Sequence, residues 1–461
     1  MNNIINSDDV KKQLGEISNF FNKDSINEIA RATNFVQRES KLDGSMFLSI
    51  FILGMNMYGT PTLQQLIGLL NIIIPGFEIS REGFHQRINE YAVTFFEFML
   101  SQAINISSTE VDLELLSYFH KVLILDSTII ELPETLAEAF KGAGGAGSKS
   151  SLKIQFCFDL KLGSFFYFIQ EGVTSDGKYE NSFVDKINEH ELIIKDLGYF
   201  TIDSFIDMES KGAYYLSRWK SNTKIYVKNE VNEIIELNIE KFFENIDSIT
   251  EIEIYIKKKD KFSKARLVVE RVPEEITNIR LRKLNKKSKS RGTQTQSITK
   301  LFQRFNVYFS NIPKEGLLMS NFRKLYGSRW QIELVFKNWK SNFKLDKISG
   351  FKEERIKCML YSKLILIVIS TKLISQLRNI YWKEFKIEIS DFKSSKHLII
   401  IFQDILKIVI TKTSSTVSNN KQKKIFNLLL DSLTFISKNC IKIKQKTRTY
   451  LLDMIDSMHL T

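Results

Sequence analysis

A chain of 461 residues exceeds what one hydrophobic core ordinarily serves, so about two to four domains are expected, and 43% apolar residues suffice to fill them. Sixty-six Lys and Arg against 53 Asp and Glu leave a net charge of +13 and a pI near 9.3, which favours a polyanionic partner over a neutral small molecule. Nucleic acid is the first candidate and an anionic membrane the second. Against a membrane, the longest apolar run in the C-terminal third, Leu364 to Ile369, is flanked by Lys363 and Lys372, well short of a span. The opening MNNIINSDDVKKQ has no apolar signal core. Cys157, Cys358 and Cys440 are far apart and odd in number, which excludes a disulfide framework and a zinc site and fits a reducing cytoplasm. The five histidines show no pair at ligand spacing.

In chain order, residues 1–115 read as helical. Thr62 to Asn71, a turn at Pro75-Gly76 and a helix opening at Ser80 suggest a helix-turn-helix-like unit, with Ser80 as N-cap and Arg81, His85, Gln86 and Arg87 on the first turns after it. Two readings stand for this pair: side chains such as Arg81 and Arg87 on DNA, or an ordinary helical pair with a solvated basic face. The turn is longer than the tight connection of a simple helix-turn-helix.

From Lys121 the pattern changes. VLILD (Val122 to Asp126) is a short apolar run ending in a carboxylate, as a buried strand delivering a residue to a sheet's edge would be. Strands follow at Leu152 to Phe158 and Ser164 to Gln170, joined by a turn at Lys161-Leu162-Gly163. A helix near Ser182 to Glu191 precedes LIIKD (Leu192 to Asp196), a second apolar run ending in a carboxylate. A helix around Ile202 to Met208 and a fifth strand, Ala213 to Ser217, complete the set. Three strands, a helix, a strand, a helix and a strand is the order of a ribonuclease H-like α/β sheet; the parallel is one of fold, and a site must be argued separately.

Residues 221–316 have a different texture. Ile225 to Val227, the alternation Ile252, Ile254, Ile256, then Ala265 to Val269 and Phe305 to Phe309 read as strands of a β-rich insertion. Within it Arg280 to Arg291 holds seven Lys and Arg, Lys286 and Lys287 among them, and no acid. Such a run is a solvated loop, or beside a phosphodiester site it tracks a DNA backbone. Long amphipathic helices, about Glu353 to Arg378 and on to Met458, close the chain as packing or assembly elements. The expected division is a helical DNA-binding domain (1–115), a core in two parts (116–220 and 317–380) around the insertion (221–316), and a helical C-terminal region (381–461).

The chemistry concentrates in YGSRWQIELVFKNWK, where Tyr326, Arg329, Glu333 and Lys340 fall at intervals of 3, 4 and 7. In one continuous helix, turning about 100° per residue, all four lie within an arc of roughly 60°. The opposite side carries Ile332, Val335, Phe336 and Trp339. A carboxylate flanked by two cations and a phenol suits a metal ion beside a phosphodiester better than ion pairing alone. Phosphoryl-transfer enzymes of the ribonuclease H-like type hold two divalent ions about 4 Å apart with three carboxylates. Two strand-end aspartates, Asp126 and Asp196, with Glu333 would supply them, magnesium completing its octahedron with water and phosphate.

The stretch resembles the Y-R-E-K signature of the cut-and-paste DDE transposases of bacterial insertion sequences, with the third catalytic carboxylate at Glu333. The letters around it agree: Tyr326, Arg329-Trp330, Ile332-Glu333, Phe336 and Trp339-Lys340. DSTIIELP from Asp126 is similar to the group's first carboxylate motif, DLGYF from Asp196 to its second, and Asn311-Ile312-Pro313 to the strand end before the signature helix. The resemblance covers roughly Ala30 to Thr371. It implies a transposase with Asp126, Asp196 and Glu333 as catalytic metal ligands, two Mg2+ ions for which Mn2+ substitutes, and Tyr326, Arg329 and Lys340 on DNA phosphates. It also implies double-stranded DNA partners (terminal inverted repeats and target), hairpin ends, and a bacterial, nucleoid-associated location. Cutting two ends together argues for a homodimer in the DNA complex, through the helices after Trp382. One departure stands out: the group uses an insertion tryptophan to manage a flipped base, and residues 221–314 contain none. Either an aromatic such as Phe305 or Tyr308 stands in, or the feature is absent.

GAGGAGSKS (Gly142 to Ser150) looks like a phosphate-binding P-loop, but its lysine is one place late and it precedes a strand rather than a helix. Two alternatives to a transposase remain: a ribonuclease H-like nuclease without strand transfer, which would not need Tyr326, Arg329 and Lys340 at this spacing, and a non-catalytic DNA-binding relic, which would be expected to have lost a carboxylate.

Overall fold

The computed structural model describes residues 7–108, 114–144, 147–176, 183–411 and 418–442. Ten strands form a mixed sheet in the order β3-β2-β1-β4-β5-β10-β9-β8-β6-β7, with helical regions at both ends of the chain. The chain divides into two compact units, Met1–Asp112, Ser127–Thr174 and Glu333–Tyr450 in one, Leu113–Asp126, Ser175–Ile332 and Leu451–Thr461 in the other.

The first unit is mostly helical. Its N-terminal helices are α1 (Asp8–Phe20), α2 (Lys23–Ala32), α3 (Gly44–Tyr58), α4 (Leu63–Ile73), α5 (Arg81–Gln86) and α6 (Glu90–Asn105). Short polar side chains start them: Asn22 accepts from Asp24 N and Ser25 N, Thr62 and Gln65 form a capping box, Ser80 Oγ accepts from Gly83 N at 3.0 Å, and Asn89 accepts from Ala92 N. A Cβ at Gly44 would collide with that of Ala30, so glycine lets α2 and α3 approach closely. The core of this part is aromatic, with Phe47 between Phe35, Phe51, Phe84 and Phe96 at ring separations of 4.8 to 6.0 Å.

The C-terminal helices of this unit are α11 (Glu353–Phe385), α12 (Asp391–Ile410) and α13 (Ser418–Asn439). Helix α11 lies against α3, α6 and α12. By length and composition it is apolar enough to cross a membrane, contrary to the short run expected, yet 89% of its most apolar stretch is buried inside the protein. It is therefore a core helix, and its lysines confirm the setting: Lys372 Nζ donates to Ile106 O at 2.5 Å and Ser108 Oγ at 3.2 Å, and Lys363 Nζ to the carbonyls of Lys344 and Lys347. The expected helical end near Met458 lies outside the described residues. All three cysteines are buried, and none is in a disulfide among the described residues.

This unit also holds β2 (Ser151–Asp159) and β3 (Phe165–Glu171), an antiparallel pair whose connection turns at Gly163 with φ +62°. Every residue of β2 is buried.

The second unit holds the rest of the sheet. β1 (Val122–Glu131) enters it and runs parallel to β4 (Leu192–Lys195), which runs parallel to β5 (Tyr214–Arg218). Helix α7 (Ile202–Ser210) connects those two strands. Beyond them β10 (Phe305–Ser310) is antiparallel to both β5 and β9 (Lys261–Arg271), and β8 (Ile249–Lys258), β6 (Tyr226–Lys228) and β7 (Ile234–Glu236) continue outward. The strands read as an insertion thus extend the same sheet, with β10 joining them to β5. The helix expected near Ser182 to Glu191 is reduced, among the described residues, to Phe183 and Val184 before turns begin.

The basic run is not a loop. Glu274–Arg291 is the 18-residue helix α8, opened by Pro273, Glu274 and Glu275 and closed by Gly292 in the left-handed region at φ +62°. No Gly or Pro interrupts it, and Lys, Arg, Leu and Asn are compatible with helix, so local preference outweighs like-charge repulsion in solvent.

Candidate active site at the ends of β1 and β4

Strands β1 and β4 begin with unbroken apolar runs, Val122 to Leu125 and Leu192 to Ile194, each residue at most 2% exposed. Burial on both faces fixes their register: Val122 pairs with Leu192, Leu123 with Ile193, Ile124 with Ile194. Carried two residues further, that register sets Asp126 opposite Asp196. Both aspartates are half-buried where the apolar runs stop. β1 does not end at Asp126, as its sequence suggested. It continues through Ser127 to Glu131, where Thr128 and Ile130 are buried and Ile129 is exposed, because β2 flanks it there. Asp196 does leave its strand, and Tyr199 N donates to its carbonyl at 3.0 Å in a tight turn.

Neighbouring residues hold the end of β4 in place. Lys195 is fully buried; its Nζ donates to Ser204 Oγ at 2.8 Å and stands 4.5 Å from the centre of the Phe205 ring, tying the strand to α7. Asn311 donates to Ala213 O and accepts from Tyr215 N, both at 2.8 Å, so the segment after β10 is fastened to the start of β5.

The expected single helix from Tyr326 to Lys340 is two. Helix α9 (Phe322–Gly327) ends before α10 (Trp330–Ser341), with a turn at Ser328-Arg329. Ser328 Oγ donates to Leu325 O at 2.6 Å, and Arg329 N and Ile332 N make tight three-residue bonds to Tyr326 O and Arg329 O. A hydroxyl competing for the backbone after Gly327 explains the break. The common arc therefore applies to Glu333 and Lys340, seven residues apart on α10, and not across the break to Tyr326.

Tyr326 nevertheless belongs with Asp196. Burial, then the charge of Asp196, push its phenol up to about 12, against the opposing Arg329 and Arg218. The phenol is thus a proton donor at neutral pH, within electrostatic reach of Asp196 and two guanidinium groups. Its ring lies 5.4 Å from that of Tyr308. Tyr308 and Phe305 are 6% and 2% exposed, and Phe305 packs on Phe243 at 4.6 Å, so both are core rings rather than substitutes for an exposed base-handling tryptophan.

Glu333 and Lys340 stand on α10 in the first unit, both exposed, while Phe336 and Trp339 on its buried side pack against Phe156 at 5.3 and 4.9 Å. Among the described residues no group of three His, Cys, Asp or Glu side chains is gathered to hold a metal ion. Carboxylates such as Asp126 and Asp196 are hard oxygen donors, which suit a hard divalent cation.

Of the basic residues expected on DNA, Arg81, Lys286 and Lys287 are exposed. Arg87 faces inward: it donates to Ser40 Oγ and, at 3.0 Å, to Leu42 O, stands 5.8 Å from the Phe35 ring, and burial lowers its pKa against the charge of Asp43. Two arginines went unnoticed in the sequence. Arg266 forms a two-pronged pair with Glu251, and Arg218 ends β5; neither has a local motif beyond its place in a strand.

Asp126 within β1 and Asp196 just past β4 are half-buried, and a phenol and guanidinium groups lie within electrostatic reach of Asp196. Residues 117–369 match the family described as a transposase DDE domain. The chain is 32% identical over 427 residues to the transposase of insertion sequence element IS231F of Bacillus thuringiensis subsp. israelensis, covering 87% of this chain and 89% of the relative. It is 30% identical over 403 residues to that of IS231E of subsp. finitimus, covering 82% and 84%, and 31% identical over 408 residues to that of IS1151 of Clostridium perfringens, covering 84% and 85%. The chain belongs to the DDE transposases of bacterial insertion sequences, enzymes that act on DNA with divalent metal ions.

Proposed function

We propose that the protein cuts the ends of its insertion sequence and joins the freed strand to target DNA, with Asp126, Asp196 and Glu333 as the catalytic carboxylates. What supports this is the β1–β4 ladder, which pairs Ile124 with Ile194 and, carried two residues further, would bring Asp126 alongside Asp196. Glu333 is assigned by its motif. The order β3-β2-β1-β4-β5, with β3 and β2 antiparallel and β1, β4 and β5 mutually parallel, supports a ribonuclease H-like core.

Two Mg2+ ions bound by these carboxylates would supply the charge that activates the attacking oxygen and stabilises the leaving one. Tyr326 donates its phenolic proton to a phosphate oxygen, and Arg329 and Lys340 neutralise neighbouring phosphates and fix the strand in line for attack. Water attacks phosphorus at the element end, the bond to the 3′ oxygen breaks, and a 3′-OH leaves. That hydroxyl attacks the opposite strand to give a hairpin and, once reopened by water, attacks target DNA; each step exchanges one phosphodiester oxygen for another. Residues 1–115, through Arg81, and α8, through Lys286 and Lys287, bind terminal-repeat DNA, and 381–461 pairs two copies on it. Arg87 acts there by supporting the helix. The site of action is nucleoid DNA in the cytoplasm.

The test is cleavage of a labelled duplex carrying the element's own ends, with Mg2+ or Mn2+ and with Ca2+ as control. Metal-dependent 3′-OH formation and joining, lost in Glu333→Gln, are the expected results. DNA binding without cleavage under any metal would leave a DNA-binding relic.

A further inference from the structure

We propose that Arg218 is a phosphate-binding residue, the centre of a second anion site that takes a DNA backbone phosphate next to the one being cut. The assignment rests on the proposed function above. Arg218 is half-buried at the end of β5, and its guanidinium makes no hydrogen bond or ion pair with any described residue. It pairs across the ladder with Tyr308, so the two side chains share a face of the sheet, and the Tyr308 ring lies 5.4 Å from Tyr326. Arg323 stands one turn before Tyr326 on α9, and Arg280 reaches in from α8 to donate to Asn306 Oδ1 at 2.8 Å.

The charge around this face does not balance. Of the carboxylates near the three arginines, Glu270 is already engaged, accepting from Arg323 at 3.0 Å and from Asn306 at 2.8 Å. Arg218 and Arg323 both depress the pKa of Arg280, after burial, which registers their mutual repulsion. Three guanidinium groups against Glu270, already engaged, and Asp196 at the edge of the face still leave one positive charge in excess, and a guanidinium with no partner among the described residues offers an anion two parallel donors. The parallel β4–β5 ladder pairs Lys195 with Ser217, so the next position sets Arg218 beside Asp196, and the anion it fits is a phosphodiester of the strand that Asp196 serves.

The test is a double-mutant cycle between protein and DNA. Wild type and Arg218→Gln are titrated with end duplexes in which one backbone phosphate at a time is replaced by an uncharged methylphosphonate. Arg271→Gln, an equal charge change at the exposed end of β9, serves as control. The expected result is one linkage near the cleavage point whose neutralisation weakens wild type roughly ten-fold and Arg218→Gln hardly at all, with a salt dependence lower by about one ion in that variant. Arg218→Lys, which keeps the charge but loses the fork, should restore part of the coupling, and supplies the cycle if Arg218→Gln does not fold. Coupling at no linkage, or equal coupling in Arg271→Gln, overturns the assignment while leaving the transposase reading intact. Wild type that neither binds nor cuts its ends overturns that reading, and this assignment with it.

Discussion

Arg266 grips Glu251 with two parallel bonds of 3.0 and 2.9 Å, and the same guanidinium donates to the carbonyls of Ile312, Pro313 and Leu317. It also stands 5.0 Å from the ring of Phe322, the first residue of α9. One side chain on β9 thereby anchors the segment that delivers Tyr326. The pair is largely buried, so Arg266→Met strands a carboxylate and three carbonyls. A loss of roughly 3 kcal/mol in urea unfolding is expected. An unchanged midpoint would mean that the segment is held by other contacts.

Asp126 and Asp196, aligned by their strands, repel each other when both are ionised and no cation lies between them. Thermal unfolding in EDTA should therefore rise slightly in Asp196→Asn, and added Mg2+ should raise the melting temperature of wild type but not of the variant. Equal Mg2+ shifts in both proteins would remove Asp196 from the metal site without any activity measurement.

The phenol of Tyr326 is raised from 10.0 to about 12, burial first and Asp196 second. Because the folded value lies above the unfolded one, its contribution to stability is complete below pH 10 and is lost as pH rises through about 12. Stability of wild type relative to Tyr326→Phe should accordingly fall between pH 10 and 12. Parallel curves over that window would show a phenol open to solvent.

Trp339 is 1% exposed and packs on Phe156, Phe165 and Phe336 at 4.9, 5.0 and 5.5 Å. Trp339→Ala should cost about 3 to 5 kcal/mol by leaving a cavity under α10, with guanidinium unfolding as the measure. Trp339→Phe should cost clearly less. If the two variants lose the same stability, cavity formation is not the cause.

Lys286 and Lys287 lie on the exposed surface of α8, away from the buried core. Their joint change to Gln should leave the melting temperature unaltered and lower the salt dependence of DNA binding by about two ions. An unaltered salt slope would make α8 a solvated helix and nothing more.

Much of this architecture is written in short-range pattern. The apolar runs Val122 to Leu125 and Leu192 to Ile194 are buried strands, as their length and flanking turns suggested, whereas the run Leu364 to Ile369 is part of the core helix α11. Period-two alternation found β8 and Ser80 announced its helix, because these signals depend on a residue and its immediate neighbours, while the short edge strand β7 carried too few residues to show. The basic run was open to misreading for the opposite reason: charge suggested a loop, while the absence of Gly and Pro, the stronger local term, made it helix α8.

By itself the sequence determined the family, the order of the core strands, and which carboxylates and cations are candidates for the chemistry, since each is encoded in contiguous letters. Tertiary structure decided how those letters are used. It split the signature stretch at Ser328, turned Arg87 inward onto Ser40 and Leu42, buried Phe305 and Tyr308, and left Arg218 with no partner among the described residues near Tyr326. Each outcome depends on atoms far apart in the chain, whose meeting is set by strand register and by which polar groups burial leaves to be satisfied.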